Sequence, residues 1–209
     1  MKPVMVDLFC GRGGWTKGFL AHGWRCIGID LFPQPDYPGE FIQADIAHLI
    51  ELPPADFYCC SSPCENFSRF RLKCFHANPP WPWLGIALFG RAKELIEATG
   101  KPYVMENVTA APAFVGRADA RFGPFCIWSN CLSLGWPFPP ELTKLKKGMA
   151  LGSGTRIKGM TAEQKRQYRK QFPMMQCSGK SKDRAAYTSR MAEIPLPLSF
   201  HIAQMAGAL

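Results

Sequence analysis

Short apolar runs alternate with longer amphipathic stretches through the first half of the chain. The apolar runs predict five strands, at Val4–Leu8, Cys26–Ile29, Phe41–Ala44, Phe57–Cys60 and Tyr103–Glu106. Helical periodicity predicts one helix that ends near Ala21 and another over Gly85–Thr99. Strands that alternate with helices at this spacing are typical of a doubly wound, mostly parallel α/β sheet, which is the fold class that we expect.

The pattern is less regular in the rest of the chain. Residues 65–84 show no clear period, and their prolines with interleaved basic and aromatic residues predict a long loop. Phe122–Ser129 is predicted to contain a further strand, at Phe125–Trp128, and Thr161–Phe172 predicts a helix that begins with the outline of a capping box. Pro195–Leu209 predicts a short closing helix.

The positive charge of the chain is concentrated in one segment. The net charge is +9, and residues 141–190 alone carry 13 Lys plus Arg against 3 Asp plus Glu. Such a concentration favours contact with a polyanion, most commonly nucleic acid, although a solvated basic loop has the same composition. We therefore expect a main domain over 1–140, a reduced basic region over 141–190, and a closing helix within 191–209 that packs back on the main domain.

Cysteine usage and hydropathy indicate a reducing environment inside the cell. The nine cysteines are an odd number and form no Cys-x-x-Cys pair, which is unlike a disulfide framework. Cys60, Cys64, Cys74 and His76 match no common zinc-binding spacing, so we expect no metal site. No apolar run reaches the roughly 18 residues of a membrane span, and no secretory leader is visible at the N-terminus. We expect a cytoplasmic protein without membrane contact.

Polar residues follow four of the predicted strands at the points where the strands end. Asp30 follows the second strand, Asp45 the third and Cys64 the fourth, while Glu106 ends the fifth. In doubly wound sheets, ligands bind beyond the carboxyl ends of the strands. We therefore expect these four side chains to belong to one site.

A glycine-rich turn follows the first strand. Gly11, Gly13 and Gly14 let the backbone approach a ligand closely and leave the N-terminus of the next helix facing that ligand. Asp30, sixteen residues after Gly14, stands where an acidic residue binds ribose hydroxyls. The spacing favours a nucleoside-containing cofactor, although such turns also serve NAD, FAD or plain tight packing.

Four segments together resemble the motifs of the DNA cytosine-5 methyltransferase family. They are Asp7-Leu-Phe-Cys-Gly-Arg-Gly-Gly14, Pro63-Cys64, Asn66-Phe-Ser68 and Glu106-Asn-Val108. The resemblance covers about residues 1–130 and the final twenty. It implies a sheet of the S-adenosylmethionine-dependent methyltransferase type, followed by a small basic C-terminal appendage that contacts nucleic acid.

The resemblance also implies S-adenosyl-L-methionine as the cofactor. In the family the phenylalanine of the first motif, here Phe9, lies against the adenine. The acids after the second and third strands, here Asp30 and Asp45, bind the ribose and the adenine amino group. The other expected cofactor-binding residues lie beside these positions, and they are Gly11, Arg12, Gly13, Gly14, Leu31, Ile46 and Pro63.

The implied reaction is methyl transfer to C5 of cytosine in DNA. Cys64 would attack C6 of the ring, which makes C5 electron-rich enough to take the methyl group, and Glu106 would hydrogen-bond the ring at N3. The expected catalytic residues are Cys64, Glu106, Asn107, Arg117 and Arg121, of which the two arginines stand in for a later family motif without a clean copy here.

The implied partner is DNA, either a duplex from which the cytosine is flipped out or a single strand, because C5 and C6 are inaccessible in a stacked helix. The 65–84 loop would close on the DNA as a lid. Its expected DNA-binding residues are Ser68, Arg69, Arg71 and Lys73. We expect the protein to act as a monomer.

The chain departs from the family pattern at several positions. Ser62 and Glu65 flank the Pro-Cys motif where the family usually has proline and glutamine. No large target-recognition domain is visible, and in this the chain resembles small family members encoded by phages. This resemblance implies a bacterial or phage-infected cell and a link to restriction-modification. Two alternatives stay open: the same chemistry on RNA or a free cytosine nucleotide, and a catalytically silent DNA-binding protein.

Overall fold

A computed structural model of the chain describes residues 1–71, 81–132, 139, 142 and 193–209. The chain divides into two units, and the first unit, Met1–Leu145 with Ile194–Leu209, contains every element described below. The second unit, Lys146–Glu193, lies outside the described residues except for Glu193. The predicted helix over Thr161–Phe172 and nearly all of the basic region therefore lie outside the described residues as well.

The described strands form one seven-stranded sheet in the order β3-β2-β1-β4-β5-β7-β6. Their bounds are β1 Val4–Leu8, β2 Arg25–Asp30, β3 Glu40–Gln43, β4 Phe57–Ser61, β5 Tyr103–Val108, β6 Ala120–Phe122 and β7 Phe125–Ser129. The first five strands pair in parallel, whereas β7 runs antiparallel to both of its neighbours. The predicted fold class, a doubly wound and mostly parallel α/β sheet, is confirmed.

Helices cover both faces of this sheet. Their bounds are α1 Gly14–Ala21, α2 Glu65–Arg71, α3 Trp83–Glu97, α4 Pro112–Val115 and α5 Leu196–Ala206, with a short 3₁₀ helix at Ile46–His48. One core lies between the sheet and helices α1 and α5, where Phe19 and Ile202 are fully buried. The other lies between the sheet and α3, where Phe89 and Ile96 are buried. In the described ranges no helix is long and apolar enough to cross a membrane.

The predicted strands β1 to β5 are present, and their ends differ from the predicted ones by no more than two residues. The strands are detectable because a parallel strand buried on both faces reads as a continuous apolar run. The strand predicted within Phe122–Ser129 is present as β7, and β6, which was not predicted, joins it in a hairpin whose turn passes through Gly123, with φ of 59°. Three residues are too few for β6 to show a period.

The prediction of a loop over residues 65–84 is wrong for its first part, where Glu65–Arg71 forms helix α2. Ser68, Arg69 and Arg71 therefore lie on a helix, while Lys73 is outside the described residues. This segment contains neither glycine nor proline, and Phe67 on its inner face is fully buried. Burial of that single aromatic side chain anchors a helix too short to show a hydrophobic period of its own.

Helix α5 packs closely against α1. The backbone N–H of Gly18 donates a 3.0 Å hydrogen bond to Ser199 Oγ, whose hydroxyl donates to the carbonyl oxygen of Trp15. A Cβ atom on Gly18 would lie only 2.5 Å from the backbone nitrogen of Phe200. Glycine at this position is thus what allows the last helix to reach the first one.

Candidate active site

The carboxyl ends of the parallel strands meet at one edge of the sheet. Strand β2 ends there at Asp30, and Cys64 follows the end of β4 by three residues. In the ladder between β4 and β5, Ser61 pairs with Glu106. The structure therefore brings Asp30, Cys64 and Glu106 to the same edge; β4 and β5 are neighbours, and β1 lies between β2 and β4.

The glycine turn between β1 and α1 has an unusual backbone. Phe9, Gly11 and Gly13 all have positive φ, at 55°, 48° and 74°. A Cβ on Gly13 would lie 2.7 Å from Pro38 Cδ, so this glycine is required by packing as well as by conformation. At Gly11, by contrast, no described atom lies within 4 Å of such a Cβ. The turn is thus open to a ligand on the Gly11 side.

Asp30 ties the end of β2 to this turn. Its Oδ2 accepts a 3.0 Å hydrogen bond from the N–H of Gly11, and its Oδ1 accepts one of 3.1 Å from the N–H of Phe32. Each carboxylate oxygen still has a second lone pair with which to accept a hydroxyl. Leu31 and Phe32, which follow it, are 48% and 67% exposed, so apolar surface borders the carboxylate.

Two other predicted cofactor-binding residues make local contacts in this structure. The guanidinium of Arg12 lies 3.2 Å from the carboxylate of Asp36. Asp45 accepts a hydrogen bond from the N–H of Ala47 and lies 2.9 Å from His48 Nδ1. These contacts hold the pKa of Asp45 below its ordinary value, and the hydrogen bond from Ala47 contributes the most. The neighbouring Ile46 is buried in the core.

Cys64 lies in the turn that leads from β4 into α2. Its side chain is half-buried and its carbonyl oxygen accepts a 2.9 Å hydrogen bond from the N–H of Ser68. Pro63 before it is exposed, whereas Ser62 is buried and receives two hydrogen bonds from the side chain of Asn107. Cys64 is thus partly exposed, and the backbone just ahead of it is held by a side chain from β5.

Glu106 is buried, with 4% of its surface exposed. Its ladder partner Ser61 lies on the same face of the sheet and accepts a 2.9 Å hydrogen bond from Trp15 Nε1. Trp15 therefore joins the first turn of α1 to the strand ends that carry Cys64 and Glu106. No sequence signal indicates this role of Trp15, because an apolar position in a helix predicts only core packing.

A buried polar network, which was not predicted from the sequence, lies beneath the glycine turn. The hydroxyl of Thr16 donates a 2.8 Å hydrogen bond to Asp7 and lies 2.5 Å from the hydroxyl of Tyr37. Burial raises the pKa of Asp7 from 3.8 to about 8. The available signal was a carboxylate within the otherwise apolar run of β1.

The predicted arginines lie at the outer side of the site. Arg121 on β6 pairs with Cys126 on β7, which in turn pairs with Asn107 on β5, so Arg121 is two strands away from Asn107. Its Nε donates a hydrogen bond to the carbonyl oxygen of Gly123. Arg117 is exposed in the turn after α4. Neither contacts Cys64 or Glu106 through a described hydrogen bond. In the described part of the chain, no three His, Cys, Asp or Glu side chains are arranged to bind a metal ion.

Comparisons with known proteins find similar solved structures only. No protein-family model matches the chain, and no curated protein matches it. A protein provisionally assigned as a DNA modification methyltransferase, encoded within an Escherichia coli prophage, is 17% identical over 53% of this chain and 33% of its own, with a TM-score of 0.39.

Two further similar structures are methyltransferases from other bacteria. A TehB-like S-adenosylmethionine-dependent methyltransferase from Corynebacterium glutamicum is 17% identical over 51% of this chain and 55% of its own, with a TM-score of 0.32. Magnesium protoporphyrin IX methyltransferase from Synechocystis, with bound cofactor, is 12% identical over 61% of this chain and 69% of its own, with a TM-score of 0.37. This chain thus spans from one third to about two thirds of the length of these three proteins.

Proposed function

We propose that this protein transfers a methyl group from S-adenosyl-L-methionine to C5 of cytosine in DNA. One observation carries the proposal: a partly exposed cysteine, Cys64, and a buried carboxyl group, that of Glu106, lie at the carboxyl-terminal side of adjacent parallel strands, beside an open glycine turn. The pairing of Ser61 with Glu106 and the contacts of Asn107 with Ser62 hold these two groups in register.

The residues around the glycine turn fit the proposed cofactor. Space is open at Gly11, and the oriented carboxylate of Asp30 suits a pair of ribose hydroxyls. Phe9 and Leu31 supply apolar surface for an adenine ring. When bound, S-adenosylmethionine supplies a methyl group on a positively charged sulfur. The protein's part is to hold that group and to make the acceptor carbon nucleophilic.

Cys64 and Glu106 would together make the acceptor carbon nucleophilic. The thiolate of Cys64 forms a bond to C6 of cytosine, and the electron pair of the C5–C6 double bond moves toward C5 and N3. A carboxyl group at Glu106 stabilises the ring through a hydrogen bond at N3. After C5 has taken the methyl group, a base removes the C5 proton, the double bond forms again, and the thiolate leaves C6.

DNA is the proposed substrate because of charge and access. The net charge of +9 favours a polyanion over a small nucleotide. C6 cannot be reached by a thiol while the base is stacked, so the cytosine must be flipped out of a duplex or belong to a single strand. We propose that the basic 141–190 segment contacts the phosphates.

The test supplies labelled S-adenosylmethionine with duplex DNA, single-stranded DNA, RNA and dCTP. We expect label at C5 of cytosine in DNA for the wild type and none for Cys64→Ala. Cys131→Ala is a matched control, because Cys131 is buried at the opposite edge of the sheet. Label in RNA or dCTP alone would overturn DNA as the substrate, and label transferred by Cys64→Ala would overturn the role of the thiol.

A second experiment isolates the covalent step. With 5-fluorocytosine in the DNA, the C5 substituent cannot leave as a proton, so the bond between Cys64 and C6 would persist. We expect a denaturation-resistant protein–DNA complex with the wild type and with Cys131→Ala, and none with Cys64→Ala. Methylation of ordinary cytosine without such a complex would contradict the covalent mechanism.

A further inference from the structure

Four aromatic side chains form a cluster next to the turn that carries Cys64. We call it the aromatic cluster, and its members are Phe67, Trp81, Trp83 and Phe114. The ring centroids of Phe67 and Phe114 are 5.9 Å apart, those of Trp81 and Phe114 are 4.9 Å apart, and those of the two tryptophans are 6.0 Å apart. The cluster is thus continuous from a buried ring to two exposed ones.

The cluster lies at the edge of the sheet that carries the candidate site. Phe67 is on α2, three residues after Cys64, and Phe114 is on α4, which follows the end of β5. The start of α3 packs on the same place, because a Cβ on Gly85 would be 3.0 Å from the ring of Phe67. Helix α2, which follows Cys64, and helix α4, which follows the strand of Glu106, therefore supply the rings next to the two tryptophans.

The two tryptophans differ in what they contact. Trp81 is 49% exposed and meets Phe114 edge-to-face, with an angle of 84° between the rings. Trp83 is 72% exposed. The two indoles are tilted by 50° to each other, so a flat ligand cannot lie between them in contact with both faces. The outer face of the Trp83 indole is therefore the surface on which a flat ligand could stack, and Trp81 packs beside Trp83.

The sequence of the segment that holds three members of the cluster favours one kind of ligand. Residues 64–83 include the basic residues Arg69, Arg71 and Lys73 and one acid, Glu65. Arg117 is exposed three residues after Phe114. Exposed aromatic rings within positive charge bind single-stranded nucleic acid, because bases stack on the rings while cations pair with phosphates. An apolar protein partner would not require this excess of positive charge.

We propose that Trp83 stacks on an unpaired base of the DNA strand that carries the target cytosine, next to the target itself. The proposal rests on the proposed function for the identity of the strand. When the target cytosine leaves the stack, the base next to it loses a stacking neighbour. Stacking of that base on the Trp83 indole would offset this loss. Trp83 would thereby hold the strand open while Cys64 reaches the cytosine.

The test measures binding of fluorescein-labelled single-stranded DNA with one cytosine, by fluorescence anisotropy at two salt concentrations. We expect Trp83→Ala to weaken binding about tenfold and Trp83→Phe to retain most of the affinity. Leu84→Ala is the matched control, because Leu84 is an adjacent exposed apolar residue without a ring, and it should leave affinity unchanged. Equal losses in Trp83→Ala and Leu84→Ala would overturn stacking in favour of general apolar contact.

Abasic substitution of one nucleotide at a time adds a direct measure of the contact. For the wild type, an abasic site at one position beside the cytosine should lower the affinity about tenfold relative to intact DNA. For Trp83→Ala, the same abasic strand and intact DNA should bind equally well. An equal effect of every abasic position on both proteins would overturn the proposal, as would a wild type that does not bind the strand.

Binding and methyl transfer fail independently. Binding coupled to Trp83 without label transfer to any substrate would remove the proposed function and leave the stacking site. Methylation of DNA at C5 with affinity independent of Trp83 would keep the function and overturn the stacking site.

Discussion

The side-chain amide of Asn107 donates two hydrogen bonds to Ser62, one of 3.0 Å to its carbonyl oxygen and one of 2.9 Å to its hydroxyl oxygen. Asn107 Oδ1 in turn accepts a 2.8 Å hydrogen bond from the N–H of Val108. Both Asn107 and Ser62 are buried. Asn107 therefore fixes the backbone just ahead of Cys64, which makes it a positioning residue for the proposed nucleophile.

Replacing Asn107 should impair the proposed activity beyond its effect on folding. Asn107→Ala leaves the buried carbonyl and hydroxyl of Ser62 without these donors, which costs about 1–3 kcal/mol in the free energy of unfolding. Ser62→Ala removes one acceptor only and should cost about 0.5–1.5 kcal/mol. Urea denaturation measures both values, and single-turnover methyl transfer measures the rate.

Asn130→Ala is the control for this comparison. Asn130 also bonds two backbone groups, the N–H of Tyr103 and the carbonyl oxygen of Lys101, but at the amino end of β5. We expect its stability to fall while the single-turnover rate of the folded fraction is unchanged. A similar rate for folded Asn107→Ala would show that Asn107 has no positioning role.

Replacing Asp30 should weaken cofactor binding. Asp30→Ala removes the acceptor of the Gly11 and Phe32 N–H groups and the proposed ribose contact. Hydrogen bonds to a charged group contribute about 1.5–3 kcal/mol, so we expect roughly 10- to 100-fold lower affinity for S-adenosylhomocysteine by calorimetry. Asp56→Ala should leave this affinity unchanged, because Asp56 binds the N–H of Val4 at the opposite edge. Equal affinities for the two variants would exclude Asp30 from the cofactor site.

The stability of the protein should fall as pH rises, because of Asp7. Burial raises the pKa of Asp7 to about 8, from 3.8 in the unfolded chain, although the hydrogen bond from Thr16 acts in the opposite direction. Between these values the folded protein keeps a proton that the unfolded chain has released. The free energy of unfolding therefore decreases through this range, by at most about 1.4 kcal/mol per pH unit.

Asp7→Asn tests the origin of this pH dependence. Asparagine does not ionise, so the variant should lose less stability than the wild type between pH 5 and pH 8 in urea denaturation at each pH. Asp56→Asn, which changes an exposed carboxylate, should follow the wild type. Parallel pH profiles for Asp7→Asn and the wild type would refute the assignment to Asp7.

Two glycines in helices should respond to alanine in opposite directions. Gly18→Ala places a methyl group against Ser199 and Phe200 and should destabilise the fold by about 1–3 kcal/mol, because α5 must move away from α1. Gly90→Ala, inside α3 with no described atom near the new methyl group, should stabilise it by about 0.5–1 kcal/mol. Thermal unfolding measures both, and a neutral Gly18→Ala would mean that the contact between the helices adapts freely.

Several parts of the site could be predicted because their signals are local. Asp30 ends β2 and Glu106 lies two residues before the end of β5, and an apolar run that meets a polar residue marks such positions without knowledge of the fold. The turn at Gly11 and Gly13 is visible because few residues other than glycine adopt a positive φ. Phe9 adopts the same conformation, and no sequence rule would have predicted this.

Other parts depend on pairs that are distant along the chain. The hydrogen bonds from Asn107 to Ser62 join residues 45 positions apart, and that from Trp15 to Ser61 joins residues 46 apart. They exist because β4 is inserted between β1 and β5, and an apolar pattern does not encode the order of strands. For the same reason, the exposed face of Trp83 became visible only once α2, α3 and α4 had been packed together.

The sequence by itself determined six of the seven described strands, the fold class and the identity of the groups near the strand ends, since burial of apolar runs and backbone conformation act over a few residues. The tertiary structure alone decided which of these groups are neighbours, which are buried, and which side chains support them. Those properties follow from the strand order and from the close approach of α5 to α1 at Gly18, which are set by packing across the whole domain.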